Sequence, residues 1–418
     1  MSTSCADPAV TLPFHRLPAV RPGRGFDLLA GVRVLDLTTS VAGPYATLLL
    51  ADLGADVIKV ERPAGDDARA WGPPFLDEDS LWFLSINRNK LSVTLDTTRA
   101  EGRAVLRDLV RASDVVVVNQ LPRSAAKLGL DAATLTALKP DLVYVSITGF
   151  GLTGARADLA CYDLIAEGYS GIMDITGAAE GAPQKIGAPA ADMLAGEDAA
   201  LATVAALYAR LRTGRGRVID IALAESMTRF LACRIVPYLG SGEVPRRSGA
   251  KDSVIAIYQA FETADDPITL GLGNDAIWTR FWETVGDPTF GANPAHATNA
   301  QRRAARPAIV ARIQEILRQK PQAEWLALFR AARVPAGPIN RVDQVAHDPD
   351  FAARGLFYRL ADGDREVPQV GTGFQIDGAA NTPRSAPPQR GAQTRDVLSA
   401  LLGYGDDRIE ALAAEGVI

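Results

Sequence analysis

Four short apolar runs, the first three separated by helix-like sequence, dominate the first part of the chain. They are residues 32–37 (VRVLDL), 55–61 (ADVIKVE), 114–119 (DVVVVN) and 142–147 (LVYVSI). Runs of this length, rich in valine and isoleucine, suit strands buried on both faces. Residues 44–53 and 99–112 have the periodicity of helices, and Pro44 suits a first turn. Strands alternating with helices predict parallel βαβ units, and hence a Rossmann-like α/β domain. No G-x-G-x-x-G follows any of these runs and no P-loop is present, so a dinucleotide held in the usual way is not expected.

The pattern continues with a long alanine-rich helix over 192–212, closed by Gly214 and Gly216. A strand over 218–223 and a helix running through Tyr238 follow. Residues 239–252 are rich in Gly, Pro and Arg and read as a linker. A shorter α/β unit comes next, with strands at 255–261 and 268–272 and helices near 275–286, 301–319 and 322–332. The VPAGP stretch at 334–338 marks a second junction. The expected division is a loose arm over 1–28 and a large domain over 29–238. A linker and small domain occupy 239–333, and 334–418 return to the large domain with a helix at 394–402.

At 418 residues, two domains are the default expectation. A net charge of -5 argues against nucleic acid as a partner. No run is long and apolar enough for a membrane span and no signal-peptide pattern opens the chain. Cys5, Cys161 and Cys233 have neither metal-ligand spacing nor a paired framework, which fits a reduced cytoplasm and no metal. The three histidines, His15, His296 and His347, all lie outside the βαβ region, and no H-E-x-x-H or G-x-S-x-G occurs. Covalent chemistry, if any, falls to a carboxylate.

Several segments, in order, resemble the family III coenzyme A transferases. They are DLTTSVAGPYATLLLADLGADVIKVER (36–62), INRNKLSVTLD (86–96), DVVVVNQLPRSAAKLGL (114–130) and LVYVSITGFGLTG (142–154). YDLIAEGYSGIMDITG (162–177), RTGRGRVIDIALAES (212–226) and VPAGPINRVDQVAHDPDFAARG (334–355) complete the set. The resemblance implies CoA transfer between carboxylic acids, with acyl-CoA as substrate and no permanently bound cofactor. It also implies a homodimer of interlocked chains.

In such enzymes the nucleophile is an aspartate just before a long helix, and the matching segment GAPAADMLAG (187–196) carries Asp192. Its carboxylate would attack the thioester, forming a mixed anhydride and releasing CoA thiolate. The thiolate would then attack the aspartyl carbonyl, and a second acid would reverse the sequence. From pattern alone, Asp192 reads as a helix N-cap. The family's CoA contacts map onto Val41, Ala42, Arg62, Asn87, Arg88, Asn89, Lys90, Asn119, Gln120, Leu121, Lys127, Ala160, Cys161, Tyr162 and Asp163. Arg62, Arg88, Lys90 and Lys127 are the candidates for phosphate; Arg123 reads as a surface charge.

Racemases on the same fold pair the aspartate with a histidine, whose place Tyr162 takes here. A phenol with a pKa of about 10 is a poor proton shuttle at neutral pH. Formyl-CoA transferases acting on oxalate carry glutamine where Val41 stands and a glycine run where this chain has Ser248-Gly249-Ala250-Lys251. A non-catalytic CoA-binding subunit is the remaining alternative, and an intact Asp192 counts against it. The arginine-bearing loop Pro245-Arg246-Arg247 suggests a second carboxylate, and so succinyl-CoA exchanging with another short dicarboxylate.

Overall fold

A computed structural model describes residues 12–252 and 254–418, which form two compact units. The larger contains residues 12–170, 187–231 and 346–418. Its core is a six-stranded parallel sheet of β1 (Arg33–Leu37), β2 (Asp56–Glu61), β3 (Lys90–Thr94), β4 (Val115–Val118), β5 (Val143–Thr148) and β6 (Arg217–Ala222). The strands lie in the order 3-2-1-4-5-6. This is the doubly wound order, and its direction reverses between β1 and β4. The apolar runs become strands because both sheet faces are covered: every residue of β4 and β5 is buried.

The sequence reading misses β3, since Lys90 and Ser92 look wrong for a buried strand. Both are nonetheless buried, with their polar ends satisfied by other side chains.

The helices used below are α1 (Ala42–Asp52), α2 (Ala100–Arg111), α3 (Pro122–Leu128), α4 (Asp163–Ser170), α5 (Ala190–Thr213), α6 (Leu223–Phe230) and α7 (Ala232–Ser241). One helix expected through Tyr238 is thus two, α6 and α7. Gly214 closes α5 in the left-handed conformation, with φ 66°. Leu106, Leu109 and Val110 of α2 pack on the sheet together with the C-terminal Leu398, Ile409 and Leu412.

Two corrections concern the chain ends. The arm expected to be loose is tied down from Pro13 onward. Ala19–Val20 pairs with the strand Phe357–Asp362, and Gly23 donates to the Pro383 carbonyl. Residues 1–11 lie outside the described part, and with them Cys5 and the first 11 residues of the expected arm. The C-terminal part, where the sequence reading places only a helix at 394–402, also contains the hairpin Phe357–Asp362 with Arg365–Val370 and the helix Asp406–Ala414.

The smaller unit holds residues 171–186 and 232–345, apart from residue 253. Its antiparallel sheet joins β7 (Tyr258–Phe261), β8 (Ile268–Gly271) and β9 (Ala336–Pro338). Trp278, Phe281 and Trp282 of α8 (Asp275–Thr284), Ile309 and Ile313 of α9 (Arg306–Leu317) and Trp325 and Phe329 of α10 (Gln322–Ala331) form its core. The stretch read as a second junction therefore supplies a strand to this unit. Residues 171–186, assigned to the large domain from sequence, cluster with the small unit instead. Glycine and proline content does not reveal which core a segment packs on.

Candidate active site

The strand order directs attention to the C-terminal ends of β1 and β4. There Asn119 accepts from Thr39 N at 3.2 Å and donates Nδ2 to Thr39 O at 2.8 Å. Gln120 donates to Leu37 O at 2.9 Å, while its Oε1 is buried without a hydrogen-bond partner among the described residues. Between β1 and α1 the chain turns through Ser40, whose φ of 71° is unusual for a residue with a side chain. Asp66 holds that turn by accepting from Ser40 N at 3.1 Å. Val41 and Ala42 then open α1 and are buried. Leu121 precedes α3, and Lys127 sits exposed in that helix's last turn.

Asp192 immediately precedes Met193, which fixes the start of α5 against α1. Met193 packs on the Val41–Leu48–Ile86 cluster, and Gly196 lets α5 approach α1 closely. A Cβ at Gly196 would stand 2.8 Å from Ala42 O and 2.9 Å from the Tyr45 ring. The Cys161–Asp163 segment arrives from the end of β5 by a similar contact, since a Cβ at Gly149 would stand 2.1 Å from Cys161 Cβ. Asp158, in the same loop, accepts from Arg123 N at 2.9 Å and ties the loop to the start of α3. Ala160 and Tyr162 are exposed, Tyr162 by 66%.

The N-cap expected at position 192 falls on Pro189, which has no capping side chain. Asp192 stands in the first turn of α5. Asp163 serves that helix end instead, accepting from Ala191 N at 2.8 Å and Asp192 N at 3.4 Å. The Asp192 carboxyl is thereby free of capping. Burial, and then the charge of Asp163, raise its pKa to about 7. Cys161 is the nearest competing nucleophile. Burial, followed by the Asp192 charge, pushes its thiol up to about 11, so it is protonated at neutral pH.

Two of the expected phosphate-binding side chains do not fit that task. Arg88 and Lys90 precede or begin β3, at the opposite end of that strand from the reversal point, and both are buried. Arg88 makes a two-point ion pair with Asp52, at 3.0 and 2.5 Å, and donates to Val370 O. Asn89, with φ 64°, donates to Asp52 as well and accepts from Arg384 N and Ser385 N. Lys90 donates to Asp36, to Pro44 O and to Asn87 Oδ1, at 3.1, 2.8 and 2.8 Å.

Asp36 also accepts from the Thr38 and Thr47 hydroxyls, and Lys59 joins it to the Ser40 turn by pairing with Asp66 at 2.8 Å. Burial by itself would raise the Asp36 pKa. Lys90 and Lys59 outweigh it and hold the group well below the usual carboxylate range. This buried network shapes the loop from β1 to α1. The sequence reading overlooked Asp36, Lys59 and Asp66; the first two are signalled by charge inside otherwise apolar strand runs, and Asp66, in the loop after β2, by nothing local.

Arg62, by contrast, is exposed at the end of β2, donates to Gly65 O and pairs with Asp67. His296, in the small unit, is buried against Trp278 and Phe290. No group of three or more His, Cys, Asp or Glu among the described residues is placed to hold a metal ion. Nor is any helix among them long and apolar enough to cross a membrane.

Comparison with known proteins follows the same lines. The model of CoA-transferase family III matches residues 29–394. The succinyl-CoA:glutarate CoA-transferase of Mus musculus is 36% identical over 394 residues, covering 93% of this chain and 90% of that protein. The succinate–glutarate CoA-transferase of Agrobacterium fabrum is 38% identical over 381 residues, covering 89% and 95%. Among solved structures, a CaiB/BaiF family protein from Brucella suis superposes with a TM-score of 0.79 at 39% identity, covering 89% of this chain and 99% of that one.

Proposed function

Because the chain belongs to CoA-transferase family III, we propose that it moves coenzyme A from succinyl-CoA to a second short dicarboxylic acid through covalent intermediates on Asp192. As a transferase of this family it takes acyl-CoA as a substrate. The dicarboxylate is the finer reading, supported by relatives whose names pair succinyl-CoA or succinate with glutarate. The cytoplasm is the proposed compartment.

The observation that carries the mechanism is the state of the Asp192 carboxyl. It is half-buried beside another carboxylate, with no cation or hydrogen bond stabilising its charge among the causes that set its pKa. A poorly solvated carboxylate is a better nucleophile toward a thioester than one held by water or an arginine. In the first step its oxygen bonds to the acyl carbonyl carbon, the C–S bond breaks, and CoA leaves as thiolate. In the second the thiolate bonds to the Asp192 carbonyl carbon, and the first acid departs as carboxylate. The incoming carboxylate then attacks the aspartyl thioester, and CoA returns to the new acyl group. Protons are not required in any of these steps, in keeping with the lack of a histidine near Asp192 in sequence.

Around it, Val41, Ala42, Asn119, Gln120, Leu121 and Ala160 to Asp163 supply the proposed walls and backbone contacts for CoA. Arg62 and Lys127 are the exposed charges suited to its phosphates. Asn87 to Lys90 contribute by shaping the loop rather than by touching phosphate. The test is chemical trapping: incubation with succinyl-CoA followed by borohydride should reduce the aspartyl thioester and mark the peptide containing Asp192. Exchange of CoA at an undiminished rate by Asp192→Asn would exclude this route.

A further inference from the structure

The small unit contains a cavity of about 490 Å³ that the mechanism above does not use. Six basic side chains line it, against Glu243 and Asp252. Two of the six are neutralised locally. Arg234 pairs with Asp252 at 2.8 Å, and Arg247 pairs with Asp174 at 2.9 Å while donating to Gly181 O. The Arg247 expected from sequence to meet a carboxylate is therefore occupied.

Arg306, the first residue of α9, is different. Its Nη1 donates to Asp252 O at 2.8 Å, but Nε and Nη2 are shut off from solvent without a hydrogen-bond partner among the described residues. These two nitrogens form the side-on edge of the guanidinium, the edge that grips a carboxylate with two parallel hydrogen bonds. The carboxylate of Asp252 does not serve them. Asp252 receives Arg234 on one oxygen and the backbone N–H groups of Val254 and Ile255 on the other. Leaving buried charged donors unmatched costs several kcal/mol in general terms, which marks the position as one built for a ligand. Burial lowers the Arg306 pKa; the charge of Asp252 opposes this, and that of Arg303 adds to it.

We infer that this cavity binds the carboxylate of a short dicarboxylic acid, held side-on by Nε and Nη2 of Arg306 once the guanidinium turns that edge out of its dry position into the cavity, with Arg246, Arg303 and Lys251 supplying the surrounding positive charge. The choice of a dicarboxylate rests on the proposed function; the anion site itself rests on the geometry of Arg306.

The experiment is calorimetric titration of the full chain with glutarate, with neutral glutaramide as control and CoA transfer from succinyl-CoA measured on the same preparation. Glutarate should bind, glutaramide should not, and Arg306→Gln should weaken glutarate at least tenfold. Arg246→Gln and Arg303→Gln alter exposed side chains and keep the test valid if Arg306→Gln does not fold. Each should weaken glutarate a few-fold, and more together. The Arg306→Gln variant should also raise KM for succinyl-CoA more than for acetyl-CoA if the acyl tail uses the site, and leave both unchanged if only the free acid does. Arg306-dependent binding in a chain that transfers no CoA would keep the pocket and remove the proposed function. Active transfer with glutarate binding untouched by all three substitutions would overturn the pocket alone.

Discussion

At Asp192 two influences oppose each other. The first turn of a helix favours a negative charge, but burial and the neighbouring Asp163 disfavour it more, and the pKa settles at about 7. Nucleophilic attack needs the ionised form, so kcat should rise with pH through about 7 and level off above it. A profile flat from pH 5 to 9 would contradict this. Stability should run the other way. The folded state holds a proton that the unfolded chain has already released above about pH 4, so folding weakens as pH rises from there to about 7. Asp192→Asn removes the effect. It should abolish turnover yet melt higher than the wild type at pH 8, with the difference closing near pH 4, as differential scanning calorimetry can check.

The same scale separates Arg62 from Lys90. Arg62→Ala should weaken CoA binding a few-fold, more at low salt than at high, as loss of an exposed phosphate contact does. Lys90→Ala leaves Asp36 buried without its main partner and should cost about 3–5 kcal/mol of stability. Denaturant unfolding reads that loss, and the salt dependence of CoA affinity should stay as in the wild type.

At the scale of elements, the site exists because two helices and one loop come unusually close. Gly196 brings α5 against α1, and Gly149 admits the Cys161–Asp163 segment beside β5. Gly196→Ala places a methyl group within 2.8 Å of a backbone oxygen that cannot rotate away. The expected result is about 1–3 kcal/mol of destabilisation together with a loss of kcat, since α1 and α5 carry the two halves of the site. Full activity with an unchanged melting temperature would show that the helices tolerate separation. Neither glycine stands out in sequence, where each reads as an ordinary breaker. Their meaning comes from what lies opposite them.

At the scale of the molecule, α5 shows a stripe of exposed apolar side chains. Leu201, Tyr208 and Leu211 are 71%, 64% and 85% exposed at helical spacing, and Val218 on the edge strand β6 is exposed too. An uncovered stripe of this kind marks an interaction surface. A second copy of the chain is the proposed partner, in the interlocked arrangement that the family resemblance implies. Sedimentation velocity should find a dimer at micromolar concentration, and Leu211→Glu should shift it toward monomer. A wild-type monomer would remove the proposal.

The sequence by itself determined the parallel βαβ plan, the family and the position of Asp192 at the start of a long helix. Each depends on local pattern: apolar runs of strand length, helical periodicity and motifs in order. Tertiary structure decided the rest. It made Lys90 and Arg88 interior ion-pair partners and gave the cap of α5 to Asp163. It also turned the glycine- and proline-rich stretch near residue 336 into a strand and left Arg306 with an open edge. The physical reason is common to the first three. A charge, a cap or an edge strand is defined by its partner, and here each partner lies tens to hundreds of residues away along the chain, where no local pattern carries its signal.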